Sequence, residues 1–347
     1  MRGIVFIYHC IIDAFPALQF RRLGRSGIQV SELALGAMTF GREADERTST
    51  AIVDHFLAAG GNLVDTADRY GGGESERIVG RALVGRRDEV ILATKFRWPM
   101  GSGPNDRGGS RRHILTAVDA SLRRLRTEWI DLYQMHAWDP DTPLEETLST
   151  LDNLVRQGKV RYIGASNFAG WQLAKALGLS ALHGWEAFVS LQPQYSLLSR
   201  DLELDLLPLC RHDGLAVLAW GPLGGGVLTG KYLGSGTAPA DTRAGNGDPA
   251  SRLIQQRIDD ERNRAIVERL LTAAAELGTT PARLALRWVA SRPGVTSTLI
   301  GVRSVEQLED SLGAASLDVP AAVLQVLDEA SEPRLGHPHD IERAFRE

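Results

Sequence analysis

Four residues that lie far apart in the chain could act together on one substrate: Asp65, Tyr70, Lys95 and His136. A tyrosine hydroxyl is a weak acid, with an ordinary pKa of about 10. A neighbouring ammonium favours its phenolate, and a carboxylate beside the ammonium holds that charge in place. An imidazole can hydrogen-bond a substrate oxygen and orient it. Such a set suits carbonyl chemistry in which hydride reaches carbon and a proton reaches oxygen, and it needs no metal. Each residue also has a plain structural use: Asp65 as a helix cap, Tyr70 as loop packing, His136 as a satisfied core residue. Lys95 could instead form a Schiff base, as in an aldolase. That role needs a neutral amine, which Asp65 would oppose.

For the four to meet, the elements carrying them must end on one rim. Short apolar runs predict strands at Leu33–Gly36, Asn62–Thr66, Val90–Lys95, Ile130–His136, Val160–Ser166, Ala187–Gln192, Leu215–Trp220 and Thr298–Gly301. Helical signals lie between them. Asp45 caps a helix running to Ala59, and Ser110 opens one with Ile114, Val118, Leu122 and Leu125 on a single stripe. Thr142-Pro-Leu-Glu145 reads as a capping box with proline at the first helical position, and Thr280-Pro281 opens a further helix. Eight strand–helix alternations predict an α/β fold, a (β/α)8 TIM barrel, with an open doubly wound sheet as the rival. In a barrel, Asp65, Lys95 and His136 end the second, third and fourth strands on one rim, and Gly71-Gly-Gly73 can bend Tyr70 back over it. An N-terminal hairpin is expected over Phe20–Ser31 with Ser26-Gly27 in its turn. The stretch from Pro222 to Asp259, between strands seven and eight, has little periodicity and reads as a long functional loop.

The composition is that of a globular protein with a substantial core, 43% hydrophobic and 24% charged over 347 residues. A formal net charge of −4 with scattered Arg and Lys argues against a nucleic-acid or anionic-membrane partner. Cys10 and Cys210 are too few for a disulfide framework and read as inert thiols in a reducing compartment. The eight histidines show no metal-ligand spacing. Residues 1–18 form an apolar leader that His9 and Asp13 interrupt, too short to span a bilayer. The expected organisation is that leader, one barrel over residues 19–335 and a tail over 336–347, in a cytoplasmic protein. The expected partner is a small carbonyl compound, and a homo-oligomer is compatible with everything above.

The motifs Leu35-Gly-Ala-Met-Thr-Phe-Gly41, Val64-Asp-Thr-Ala-Asp-Arg-Tyr-Gly71, Ala93-Thr-Lys95, Ile130-Asp-Leu-Tyr-Gln-Met-His136 and Ile163-Gly-Ala-Ser-Asn-Phe168 stand in one order. Gln192-Pro-Gln-Tyr195, Trp220-Gly-Pro-Leu223 and Gly301-Val-Arg-Ser-Val-Glu-Gln307 follow. The chain resembles the aldo-keto reductase superfamily from about Phe20 to about Ser331, nearest to bacterial members related to potassium-channel β subunits. The resemblance implies Asp65, Tyr70, Lys95 and His136 as the catalytic tetrad, with Tyr70 the general acid, and NADPH as cofactor. It implies that Ser166, Asn167 and Gln192 hold the nicotinamide carboxamide, that Trp220 stacks on the ring, and that Gly221, Pro222, Leu223 and Lys231 line the pyrophosphate. Gly224-Gly-Gly226 fits no GxGxxG βαβ unit, so no Rossmann fingerprint competes. Arg243 adds positive charge on that side. Met38, Gly301, Arg303, Gln307 and Asp310 complete the cofactor set, with Arg303 beside a helix N-terminus suited to a 2′-phosphate. Arg303 also suits a solvated surface charge, and Asp310-Ser311 departs from the family's Glu-Asn. Phe40, Trp98 and Trp138 could wall an aromatic substrate pocket. A cofactor-sensing, partner-binding protein with little turnover is the rival function.

Overall fold

The computed structural model describes residues 18–233, 242, 244–245 and 249–345; the leader up to residue 17 and Arg243 lie outside the described residues. Two short strands, β1 (Phe20–Arg22) and β2 (Gln29–Ser31), pair antiparallel as the expected hairpin. Eight parallel strands follow: β3 (Leu33–Gly36), β4 (Leu63–Asp65), β5 (Ile91–Phe96), β6 (Ile130–Met135), β7 (Val160–Ser166), β8 (Ser190–Gln192), β9 (Ala216–Ala219) and β10 (Val295–Ile300). β10 pairs with both β9 and β3, so the sheet closes on itself and the open-sheet rival falls.

Side chains alternate across each strand, so one set fills the barrel and the other meets the helices. Ala34, Leu63, Ala93, Leu132, Ala216, Leu218 and Leu299 form the interior cluster. The hairpin plugs its lower end: Leu23 and Val30, both fully buried, join the same cluster. Arg21 ties the hairpin to the barrel by donating to the Ala290 and Val295 carbonyls and pairing with buried Glu32 at 3.0 Å.

Helix starts follow their capping residues. Asp45 accepts from the Thr48 amide at 2.8 Å at the head of α1 (Glu46–Ala58). Ser110 does the same for His113 at the head of α3 (Arg111–Leu125), which follows α2 (Glu74–Ala82). Each such cap is worth about 1 kcal/mol. Three expectations need correction. The capping box at Thr142 does not form: Pro143 itself is the N-cap of the helix Leu144–Arg156, and the Thr142 hydroxyl donates to Asp139 at 2.7 Å. A nearby buried carboxylate outcompetes the helix end for that hydroxyl. The stretch Pro222–Asp259 is not one loop, because it contains a helix, Pro249–Asp259, and tight turns over Gly224–Thr229. The eighth barrel strand also begins earlier than expected, at Val295, because its Thr296 and Ser297 are buried and bonded to neighbouring strands. No helix of the described residues is long and apolar enough to cross a membrane. Cys210 is buried, and burial with nearby Asp213 and Asp205 pushes its thiol up to about 12, consistent with an inert role; Cys10 lies outside the described residues.

Candidate active site

The upper layer of the barrel is polar where the layer beneath is apolar. Asp65 stands two residues beyond Leu63, Lys95 two beyond Ala93, Gln134 two beyond Leu132, and Gln192 two beyond Ser190, each on the same inward face. Lys95 has no exposed surface. Its ammonium pairs with Asp65 Oδ2 at 2.5 Å and donates to the Thr66 carbonyl at 2.9 Å and the Tyr70 hydroxyl at 3.3 Å. Three protons therefore meet three oxygens. The other carboxylate oxygen, Asp65 Oδ1, accepts from Gln134 Nε2 at 3.0 Å and Gln192 Nε2 at 2.9 Å. Burial opposes the charge on Lys95, but Asp65 and Tyr70 outweigh it and its proton is held more tightly than in an ordinary lysine. A Schiff-base nucleophile would need that proton gone, so the geometry works against the aldolase alternative.

Tyr70 comes over this layer because the chain after it turns sharply: Gly71, Gly72 and Gly73 have φ of 57°, 63° and 92°, a left-handed run that side chains resist. The Tyr70 ring meets the His136 ring edge-on, 5.8 Å between centroids. Burial, followed by Lys95, Arg69 and Arg97, holds His136 well below the usual histidine pKa. It is a neutral imidazole at physiological pH and keeps one N–H to offer a substrate oxygen. The four residues predicted from the sequence are thus brought together.

Across the mouth, Ser166, Asn167, Gln192 and Trp220 form one connected set. The Ser166 hydroxyl donates to the Gln192 carbonyl at 2.8 Å. Asn167, at φ 54°, donates from Nδ2 to the His136 carbonyl at 2.9 Å and to Ser166 Oγ at 3.0 Å. Its Oδ1 accepts from Trp220 Nε1 at 3.0 Å, which holds the half-buried indole by its edge. Beyond Trp220 come Gly221, buried Pro222, half-buried Leu223 and the exposed Lys231. Gly226, at φ 91°, lies so close to Lys231 that a Cβ there would sit 3.0 Å from its Nζ. Gly301 and Arg303 are exposed after β10, and the Arg303 amide donates to Gln307 Oε1 at 3.0 Å as the helix Val305–Leu312 begins. Met38 is half-buried after β3.

Two predicted residues are placed elsewhere. The Asp310 carboxylate is taken up by Arg283 at 2.9 Å and by the Thr280 hydroxyl, within the helix packing behind the rim. Phe40 has no exposed surface and belongs to the core, so it forms no wall of an open pocket. Trp98 and Trp138 are half-buried at the rim; Trp98 meets His136 at 6.1 Å and Trp138 meets Phe168 at 5.5 Å.

Sequence reasoning missed Gln134, Asp68, Arg69 and Arg97. Gln134 was findable, since an inward strand position two before His136 carries an amide where an aliphatic is usual. Asp68 is fully buried with neither carboxyl oxygen hydrogen-bonded among the described residues; the adjacent Arg69 amide does not reach bonding geometry. Burial and the nearby Glu76, only partly offset by Arg124, push its pKa up to about 8. The buried Tyr133 hydroxyl close by also lacks a partner among the described residues. Nothing in the local sequence distinguishes this aspartate from a solvated loop residue.

The model of the aldo/keto reductase family matches residues 32–332. The uncharacterized oxidoreductase YrpG of Bacillus subtilis is 40% identical over 90% of this chain and 95% of its own. Versiconal hemiacetal acetate reductase of Aspergillus parasiticus is 32% identical over 92% of this chain and 99% of its own. A probable voltage-gated potassium channel subunit beta of rice, Oryza sativa subsp. japonica, is 35% identical over 90% and 95%.

Proposed function

Because the chain belongs to the aldo/keto reductase family and has oxidoreductase relatives, we propose that it reduces aldehydes or ketones to alcohols with NADPH, with Tyr70 as the proton donor. The observation that carries this reading is the contact of Lys95 with both Asp65 and Tyr70 beneath His136. A carbonyl oxygen seated between Tyr70 and His136 accepts hydrogen bonds from both. As negative charge grows on that oxygen, Tyr70 passes its proton to it, and the Lys95 ammonium stabilises the phenolate left behind. Asp65, pinned by Gln134 and Gln192, keeps the ammonium charged and aimed.

When bound, NADPH supplies the hydride that adds to the carbonyl carbon and leaves as NADP+. The residues across the mouth fit it. The half-buried face of Trp220 suits a nicotinamide ring, and Ser166, Asn167 and Gln192 offer donors and acceptors for a carboxamide. Gln194 supports the same reading, since its Nε2 is buried without a partner among the described residues beside Gly221. Gly221, Pro222, Leu223 and Lys231 would line the pyrophosphate, and Arg303 with Gln307 at a helix start would take the 2′-phosphate. Asp310 has no part in this reading.

The test is loss of NADPH absorbance against a panel of aldehydes and ketones, with Tyr70→Phe alongside. Turnover that vanishes in the variant supports the reductase and its acid. Tight NADPH binding with no turnover on any carbonyl would shift the assignment to a cofactor-sensing partner protein, the reading that the likeness to the rice channel subunit favours.

A further inference from the structure

The barrel mouth holds two guanidinium groups that the scheme above does not use. Arg69 immediately precedes Tyr70, and Arg97 stands two residues beyond Lys95. Arg97 packs over the Trp98 ring with its Cζ 4.3 Å from the centroid, and Arg69 reaches the same ring at 5.9 Å. Trp98 in turn meets His136 at 6.1 Å, and His136 meets Tyr70 at 5.8 Å. A short molecule held at Tyr70 and His136 therefore extends toward Trp98 and both arginines.

Neither arginine forms an ion pair with a described residue, and Arg97 Nε is buried without a hydrogen-bond partner among them. Of the acids nearby, two are already engaged, and Asp68 is fully buried with its pKa pushed up to about 8, so it offers the arginines no carboxylate charge. Asp65 is committed to Lys95. Asp139, close enough to feel the charge of Arg97, is bonded to the Gly109 amide at 2.7 Å, the Thr142 hydroxyl at 2.7 Å and the Asp141 amide at 3.3 Å. Arg97 is also held in a backbone conformation that non-glycine residues avoid, φ 118°, with its carbonyl accepting from Gly108 at 2.8 Å. The proposed pyrophosphate site does not explain the charge of Arg97. β5, which Arg97 follows, stands four places round the eight-strand ring from β9, which leads to the pyrophosphate loop, and so lies across the mouth from it.

We infer that Arg69 and Arg97 bind a carboxylate or phosphate on the carbonyl substrate, with Trp98 against its planar or apolar body. The substrate class is then a short aldehyde or ketone that carries an anionic group a few bonds from the reacting carbon. A guanidinium presents a planar fork of N–H donors matched to such oxygens, and the half-burial of Arg97 strengthens its attraction, while Arg69 is exposed at the mouth. Burial and Lys95, with a lesser contribution from these two cations, keep His136 neutral, so the imidazole donates a hydrogen bond without competing for the anion. This inference rests on the reductase reading and narrows it.

The experiment compares kcat/KM for 4-carboxybenzaldehyde with its methyl ester, and for 4-formylphenyl phosphate with 4-methoxybenzaldehyde, at low and high salt. Wild type should favour the anionic member of a pair about tenfold or more, and the preference should shrink with salt. The pair with the larger ratio distinguishes carboxylate from phosphate. Arg69→Gln and Arg97→Gln should each bring the ratio toward one. A wild-type ratio near one in both pairs would overturn the inference while leaving the reductase standing. So would an unchanged ratio in both variants. If no carbonyl turns over, the reductase reading itself fails. Binding of the acid against the ester, read by tryptophan fluorescence, then still decides whether the arginines form an anion site.

Discussion

The two sides of the barrel mouth are built differently. On the side of β4, β5 and β6, the proposed reacting groups stand on strands or one turn beyond them; Lys95 and Gln134 have no exposed surface, and the Lys95 ammonium and both Asp65 oxygens are hydrogen-bonded. On the side of β9 and β10, Lys231, Gly301, Arg303 and Gln307 are exposed and lie on loops or a helix start. On the proposed reading, proton transfer tolerates little misplacement, and the groups assigned to it sit in a close-packed interior. A long, flexible cofactor with several charges can be gripped by exposed groups, each worth little alone.

If the two sides differ in this way, substitutions should separate chemistry from binding. The largest effect is expected for Tyr70→Phe: kcat should fall by about 10²–10⁴ while the NADPH dissociation constant moves little, as rapid-mixing fluorescence would report. Equal loss of both would erase the distinction. Gln134→Leu removes one of the two amide hydrogen bonds to Asp65 Oδ1, and kcat/KM should fall about tenfold, again with cofactor affinity nearly constant. Arg303→Ala should do the reverse, weakening NADPH about tenfold and NADH hardly at all; equal weakening of both would remove Arg303 from the 2′-phosphate site. Because His136 stays neutral, kcat/KM should show no ionisation near pH 6.5 that His136→Gln abolishes.

The smallest effect on turnover, though not on stability, is expected at Asp68. Its folded pKa of about 8 lies above the ordinary aspartate value. The unfolded chain therefore releases this proton first as pH rises. Stability from this group is fully present below the ordinary aspartate pKa, declines as pH climbs, and levels off above about 8. Asp68→Asn should flatten that decline in urea titrations at several pH values and stabilise the protein in mildly alkaline buffer. An unchanged slope would mean that Asp68 finds a partner in solution.

Much of this was legible beforehand, for reasons visible in particular residues. β3 and β7 match their expected bounds, because apolar runs flanked by turn residues leave strands little freedom. Asp65, Lys95 and His136 could be placed on one rim because a parallel barrel puts every strand's C-terminal end there. Errors arose where a side chain had two claimants. Thr142 could cap a helix or bond Asp139, and local pattern cannot weigh which of two partners the folded chain brings closer.

What the sequence alone determined is the barrel, its hairpin and the meeting of Asp65, Lys95 and His136 on one rim, since these follow from periodicity, order and residue type. What only the tertiary structure decided is the state of each group: the bonds that pin Asp65, the neutral His136, the protonated Asp68, and the two arginines stacked on Trp98. The reason is physical. Charge state and partner choice depend on the local dielectric and on atoms within a few ångströms, and those neighbours come from strands and loops that the chain order keeps far apart.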